Sequence, residues 1–272
     1  MSRRGNAPAC VDRPHAARQN DKRGAAHNGK GQPTVPIRSV LRDARDVSLR
    51  WRLSGVARGV LDANLTYLSP QKLLNLERCI DEVDREEIAG DFVECGVALG
   101  GSAILLASQL AADRRFRGYD VFATIPAPSD QDDEHAHQRY EVIRTGRSAG
   151  LGGEKYYGYI DNLYDVVHAN FRRFGVPVDG DTVALRRGLF EESLPTETFD
   201  AIALAHIDCD WYEPVSFCLE RIYRHLSPGG FIVLDDYADY GGCRRATDEF
   251  LARTPTVRPV RLRGNAVLRR FE

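Results

Sequence analysis

The chain predicts an α/β fold: a mostly parallel sheet of seven strands, with helices on both faces and an antiparallel hairpin at one edge. Three observations predict it. Short apolar runs alternate with amphipathic segments from residue 91 onward. The first run passes straight into a glycine-rich turn and a helix, the opening of a βαβ unit. The last two runs are separated only by Arg263-Gly264, too little chain for a crossover, so they must pair antiparallel.

The elements follow in chain order. Residues 1–34 carry Arg, Asn, Gly, Ala and Pro but few large apolar groups. Such a segment cannot bury enough surface to offset its ordering entropy, so a disordered leader is expected. Residues 35–88 are expected to form an N-terminal helical segment. Over 61–88, Leu73, Leu74, Leu76, Ile80, Val83 and Ile88 recur near helical spacing. Ser69-Pro70 suits a helix start, because proline fits the first helical position. The main domain spans 89–272, with strands expected over 91–95, 117–122, 182–186, 200–207, 230–235, 256–262 and 265–271. Helices are expected over 102–111, 135–148, 161–174 and 214–226, the last ended by Ser227-Pro228-Gly229-Gly230. Residues 124–140, rich in Pro, Asp and His, are expected to be largely loop.

Bulk properties exclude several function classes. The 272 residues are 43% hydrophobic, enough for a sizeable core. Net charge is −2, so no global pull toward nucleic acid or an anionic membrane is expected. No run approaches the ~18 apolar residues that suggest a membrane span. Arg3-Arg4 is not followed by an apolar segment and is not expected to be an export signal. The six cysteines form no CxxC pair or zinc-finger spacing, so reduced thiols in a cytoplasmic protein are expected.

The glycine turn carries the first chemical signal. In Phe92-Val93-Glu94-Cys95-Gly96-Val97-Ala98-Leu99-Gly100-Gly101-Ser102, glycines allow a tight turn and a close backbone approach to a ligand. The helix start then offers free N–H groups. The spacing is not the G-x-G-x-x-G of dinucleotide sites. Glu94 would repel a pyrophosphate but attract the ammonium group of S-adenosylmethionine. Asp120 closes the second strand, where an acid can accept ribose hydroxyls.

A sharper signal lies downstream. His206-Ile207-Asp208-Cys209-Asp210-Trp211-Tyr212-Glu213 ends one strand, and Phe231-Ile232-Val233-Leu234-Asp235-Asp236-Tyr237 ends the next. Adjacent strands lie about 4.8 Å apart. Their carboxyl ends open onto the crevice where open α/β sheets bind ligands. Four carboxylates would crowd one space, and like charges would force some to protonate unless a cation compensates them. All-oxygen ligands suit Mg²⁺, Ca²⁺ or Mn²⁺.

These runs together, Glu94-Cys-Gly-Val-Ala-Leu-Gly-Gly, His206-Ile-Asp-Cys-Asp-Trp-Tyr-Glu and Leu234-Asp-Asp-Tyr, resemble the macrocin O-methyltransferase family across residues 60–255. That family includes sugar O-methyltransferases of macrolide, aminocoumarin and enediyne biosynthesis. The resemblance implies a class I, Rossmann-like methyltransferase fold using S-adenosylmethionine and Mg²⁺ or Mn²⁺. It places Asp208, Asp235 and Asp236 as metal ligands and Asp210 as the general base. Glu94, Gly96, Gly100, Gly101, Ser102 and Asp120 fall at cofactor positions, and Phe190, in Gly188-Leu-Phe-Glu-Glu-Ser-Leu-Pro195, falls near the adenine. The acceptor is expected to be a small-molecule glycoside or nucleotide sugar, and a homo-oligomer is expected. Thr124–Tyr140 matches a lid.

Other residues carry two readings each. His206 alternates with Asp208 along the strand and reads as a proton relay in the cleft or as a satisfied strand histidine. His135 and His137, with Asp132, Asp133 and Glu134, read as a second metal site or, more simply, as a solvated lid. Trp211 and Tyr212 are core aromatics or walls of the sugar site. Two rival functions stand beside the sugar methyltransferase: a metal-dependent methyltransferase of phenols or catechols, and a nucleotide-binding oxidoreductase.

Overall fold

The computed structural model describes residues 46–272. The leader expected over residues 1–34 lies outside the described residues. After a helical stretch over residues 46–50, helix α1 spans Gly55–Asp62 and α2 spans Pro70–Arg85. Ser54 Oγ accepts from Ala57 N at 3.1 Å and Ser69 Oγ from Lys72 N at 3.4 Å, satisfying N–H groups each helix leaves open. Pro70 sits in the first turn of α2, as its fixed φ favours. Leu73, Leu76, Ile80 and Val83 form the buried stripe of α2. They share one hydrophobic cluster with Phe92, Leu204 and Phe231 of the sheet.

The helical residues of 61–88 fall in two helices, the second beginning at Ser69-Pro70 as the sequence suggests. Residues 63–69 lie between α1 and α2, with Asn64 at φ +55°. The break has a tertiary cause. Leu65 O accepts from Gly101 N at 3.0 Å, and a Cβ on Gly101 would sit 2.5 Å from that oxygen. The 65–66 backbone leaves the helix to pack on the glycine turn.

The sheet consists of β1 (Asp91–Cys95), β2 (Phe116–Asp120), β3 (Val183–Arg187), β4 (Ile202–Ile207), β5 (Leu226–Leu234), β6 (Val257–Arg261) and β7 (Ala266–Arg270). Their order is β3-β2-β1-β4-β5-β7-β6. The first five are parallel; β7 pairs antiparallel with β5 and with β6, giving the expected edge hairpin. Central strands such as Ile202–Ile207 are buried throughout, as a sheet covered on both faces requires. Pro259 falls in the edge strand β6, where a missing ladder donor is tolerated.

Helices α3 (Gly101–Ala107), α4 (Glu134–Arg144), α5 (Leu163–Arg173), α6 (Phe190–Ser193) and α7 (Tyr212–Tyr223) connect these strands. Ser227-Pro228-Gly229-Gly230 does not cap α7. It enters β5 as a bulge: Ile202 pairs with Leu226, then Leu204 with Phe231. Helix α8 (Gly241–Arg253) was not expected from the sequence. Its double-glycine start and its Arg, Asp and Glu content hide a buried stripe of Cys243, Ala246, Thr247 and Phe250. The five cysteines among the described residues are free and buried. No described helix is long and apolar enough to cross a membrane.

Strand order reverses between β1 and β4, so connections leave in opposite directions and a crevice opens at the carboxyl ends.

Candidate functional site at the carboxyl ends of β1, β4 and β5

The crevice is built from close backbone contacts. Asp208 N donates to Cys95 O at 2.8 Å, and Asp235 N donates to Ile207 O at 3.0 Å, aligning the three strand ends. Gly96 has φ +97°, and a Cβ there would lie 1.8 Å from Asp208 O. Only glycine lets β1 turn away at that distance. Asp120, at the end of β2, then fixes the turn. Its Oδ2 accepts from Val97 N (2.7 Å) and Ala98 N (2.9 Å), and its Oδ1 from Phe122 N (2.6 Å).

These ends open into a cavity of about 510 Å³. Gly96, Asp120 and Phe190 line it, as do Asp208, Asp210, Asp235 and Asp236. Glu94, Gly100, Gly101, Ser102 and His206 do not border it. Gly100 starts α3 at φ +93°, and Gly101 packs on Leu65 and Thr66. Glu94 is fully buried within β1, where its Oε1 lies 2.7 Å from His206 Nδ1.

The aspartates converge. Carboxylate oxygens of Asp208, Asp235 and Asp236 lie within 4.8 Å of one another, the only such metal-competent group among the described residues. Burial, then the neighbouring carboxylates, pushes Asp208 and Asp236 well above the usual carboxylate range. Asp210 is raised to about 7 by burial and by Asp235, with Arg139 opposing. Asp210 also sits at φ +60°, a left-handed conformation that Asp tolerates better than most residues, and its N–H donates to Asp236 Oδ2 at 3.1 Å.

Asp235 behaves differently. Burial acts to raise it, but His206 and Lys72 outweigh burial and hold it below the usual range. Lys72 Nζ donates to Asp235 Oδ2 at 2.7 Å and to Asp239 Oδ2 at 2.8 Å. His206 Nε2 stands 4.0 Å from Asp235 Oδ1, an ion-pair distance too long for a hydrogen bond. Burial lowers the His206 pKa, but Asp235 and Glu94 win and carry it to about 9. Asp235 Oδ1, His206 Nε2 and Glu94 Oε2 are buried without hydrogen-bond partners.

An oxygen-only donor set, mutual repulsion and an orphaned oxygen on Asp235 all fit a hard dication. Lys72 supplies one positive charge, so the fit concerns the remaining acids. Among the described residues, His135, His137, Asp132, Asp133 and Glu134, read as a second metal site or more simply as a solvated lid, form no metal-competent group, and Asp132 and Asp133 accept backbone hydrogen bonds. Asp132 Oδ1 accepts from Tyr212 N at 2.8 Å at the start of α7. Asp133 caps α4 through Ala136 N at 3.0 Å and reaches Gly241 N at 3.2 Å.

Sequence reasoning missed Lys72 and most of the aromatic wall. Lys72 is 163 residues from Asp235, on a helix whose pattern signals only packing. Tyr67, Tyr156, Tyr157 and Tyr240 line the cavity beside Trp211, which donates Nε1–H to Pro126 O at 3.0 Å. The Tyr156 and Tyr157 rings lie tilted with centres 4.4 Å apart, and Trp211 meets Tyr240 edge-on at 5.0 Å. Trp211 is thus both a buried aromatic and a wall of the cavity. Tyr212 turns toward α8, where its hydroxyl meets Glu249 at 2.6 Å.

Residues 38–262 match the family model described as Macrocin-O-methyltransferase (TylF). The chain is 32% identical over 192 residues to the 8-demethyl-8-(2,3-dimethoxy-alpha-L-rhamnosyl)-tetracenomycin-C 4'-O-methyltransferase of Streptomyces olivaceus, covering 69% of this chain and 68% of that one. It is 30% identical over 197 residues to the mycinamicin III 3''-O-methyltransferase of Micromonospora griseorubida, covering 69% and 70%. The solved O-methyltransferase NovP superposes with a TM-score of 0.64 at 25% identity, over 76% of this chain and 83% of that one. SAH-bound PaMTH1 of Podospora anserina, at 15% identity and a TM-score of 0.55 over 89% and 99%, shares the fold. The fold is that of class I methyltransferases. The oxidoreductase alternative gives way to this match. The chain is an S-adenosylmethionine-dependent O-methyltransferase and belongs to the macrocin-O-methyltransferase family.

Proposed function

We propose that this enzyme methylates a sugar hydroxyl of a glycosylated small molecule or nucleotide sugar, with Mg²⁺ or Mn²⁺ held by Asp208, Asp235 and Asp236. One observation carries the metal part: three carboxylates from two adjacent strand ends meet within 4.8 Å at the cavity. The sugar part is supported by one relative named for 4'-O-methylation of a rhamnosyl-bearing tetracenomycin and another named for 3''-O-methylation of mycinamicin III.

A bound dication would supply Lewis acidity to the acceptor hydroxyl. S-Adenosylmethionine supplies the methyl group. In this reading Gly96, Asp120 and Phe190 border the cofactor. Glu94, Gly100, Gly101 and Ser102 act one layer back, by fixing β1 and the start of α3. Asp210 accepts the proton of the acceptor hydroxyl; with its pKa raised to about 7, it is basic enough to take that proton near neutrality. Lys72 and His206 orient Asp235 from two sides. His206 is fully buried, so we assign it to positioning rather than to proton transfer. Positioning within this walled cavity should provide much of the rate gain.

The test is a panel of neutral glycosides, nucleotide sugars and catechols incubated with methyl-labelled cofactor, with Mg²⁺ or EDTA. Labelled product from a sugar acceptor, lost in EDTA, is expected. Transfer to catechols alone would overturn the sugar assignment, and undiminished turnover in EDTA would overturn the metal.

A further inference from the structure

Two cations line the cavity, Lys72 and Arg139. Lys72 is committed to Asp235 and Asp239. Arg139 is not: among the described residues, no carboxylate pairs with its guanidinium within 4.0 Å. Yet it stands on the inward stripe of α4, between buried Ala136 and Ile143. Helix α4 is anchored there through Asp133, which caps it and also reaches the start of α8. The guanidinium lies 5.7 Å from the Tyr156 ring centre, interacts with the Tyr240 hydroxyl, and extends its field to Asp210.

A half-buried guanidinium turned into a cavity without a carboxylate partner has donors that an incoming anion can take up. Its planar fork matches the paired oxygens of a phosphate or carboxylate. Among the tyrosines that line the cavity, the exposed Tyr67 offers a ring for a base or sugar to pack on. We propose that Arg139 binds an anionic group on the acceptor, either the diphosphate of a nucleotide sugar or the carboxylate of an acidic sugar. The inference rests on the sugar methyltransferase reading and narrows its substrate class. The competing role is simple compensation of the Asp210 charge.

The test uses the full chain loaded with S-adenosylhomocysteine and Mg²⁺, titrated calorimetrically with uridine diphosphate and separately with glucuronate. At least one probe is expected to bind the wild type. Arg139→Gln should weaken that probe by tenfold or more, about the value of one charge-assisted contact, and Arg139→Lys should recover part of the loss. Binding of uridine diphosphate alone assigns a nucleotide sugar; binding of glucuronate alone assigns an acidic sugar; binding of both still assigns the anion site. S-Adenosylhomocysteine affinity should not change. If neither probe binds the wild type, or both variants bind the probe as the wild type does, the proposal is overturned. A fall in kcat shared by neutral and anionic acceptors, with KM unchanged, would overturn it in favour of charge compensation. Failure of the underlying reading shows separately, as cofactor-product binding with methyl transfer to no sugar of either kind.

Discussion

Replacing Gly96 by alanine should disable the site by moving Asp208. The new Cβ would lie 1.8 Å from Asp208 O and 2.7 Å from its carbonyl carbon. Reaching ordinary contact requires the ends of β1 and β4 to part by more than an ångström, and the 2.8 Å bond from Asp208 N to Cys95 O cannot survive that. Backbone strain at φ +97° adds about 1–2 kcal/mol, and the lost hydrogen bond about 1 kcal/mol. The total, on the order of 3 kcal/mol, should lower the melting temperature by roughly 10 °C in a chain of this size. Displacement by about 1 Å typically costs ~100-fold in rate, and a metal ligand moved that far should weaken Mn²⁺ binding comparably. The assays are differential scanning calorimetry, S-adenosylhomocysteine calorimetry and Mn²⁺ titration by electron paramagnetic resonance, none of which needs the acceptor. Gly146→Ala is the control. Its φ is +73° but its Cβ would meet nothing within 4 Å, so it should cost about 1 kcal/mol and change neither ligand. If Gly96→Ala binds cofactor product and Mn²⁺ within twofold of the wild type, the reasoning fails.

Other perturbations probe the same site. Asp210→Asn should cut methyl transfer at least 100-fold while S-adenosylhomocysteine affinity stays within threefold; retained turnover would remove Asp210 as the base. Lys72→Met strands Asp235 and Asp239 and should destabilise the metal-free protein by about 2 kcal/mol, with Mg²⁺ recovering part; an unchanged melting temperature in EDTA would show that the pair contributes nothing. Asp208, Asp210 and Asp236 have raised pKa values in the folded state, so the native protein binds more protons than the unfolded chain above pH ~4. His206, raised to about 9, acts in the same direction, its contribution complete below pH ~6.5 and lost as pH climbs through 9. In EDTA the melting temperature should therefore fall between pH 6 and pH 8, and Mg²⁺ should raise it more at pH 8 than at pH 6; equal Mg²⁺ shifts at both would argue against this linkage.

The parallel core of the fold was legible because each strand is a short apolar run closed by glycine or acid, as in Phe92-Val93-Glu94-Cys95-Gly96. The acids were legible for a related reason: they immediately follow strands, and strand ends in such sheets face one crevice. What escaped depends on contacts distant in sequence. Ser69-Pro70 marks where α2 begins, but the turn at Asn64 that ends α1 comes with the approach of Gly101 to Leu65, a contact distant in sequence. Helix α8 buries only one narrow stripe, so its polar surface masks it. Lys72 reads as a solvated helix residue until α2 is packed against β4 and β5. His206 shows the limit of alternation as evidence. It does point off the strand, but Glu94 on the neighbouring strand claims its Nδ1, and the ring never reaches the cavity.

The most direct trial is an anomalous difference map from crystals grown with S-adenosylhomocysteine and MnCl₂, recorded at the manganese edge. One peak is expected, touching Asp208, Asp235 and Asp236 beside the sulfur of the cofactor product. A saturated crystal with no peak there, or with manganese bound elsewhere while the cofactor product is in place, would contradict the account.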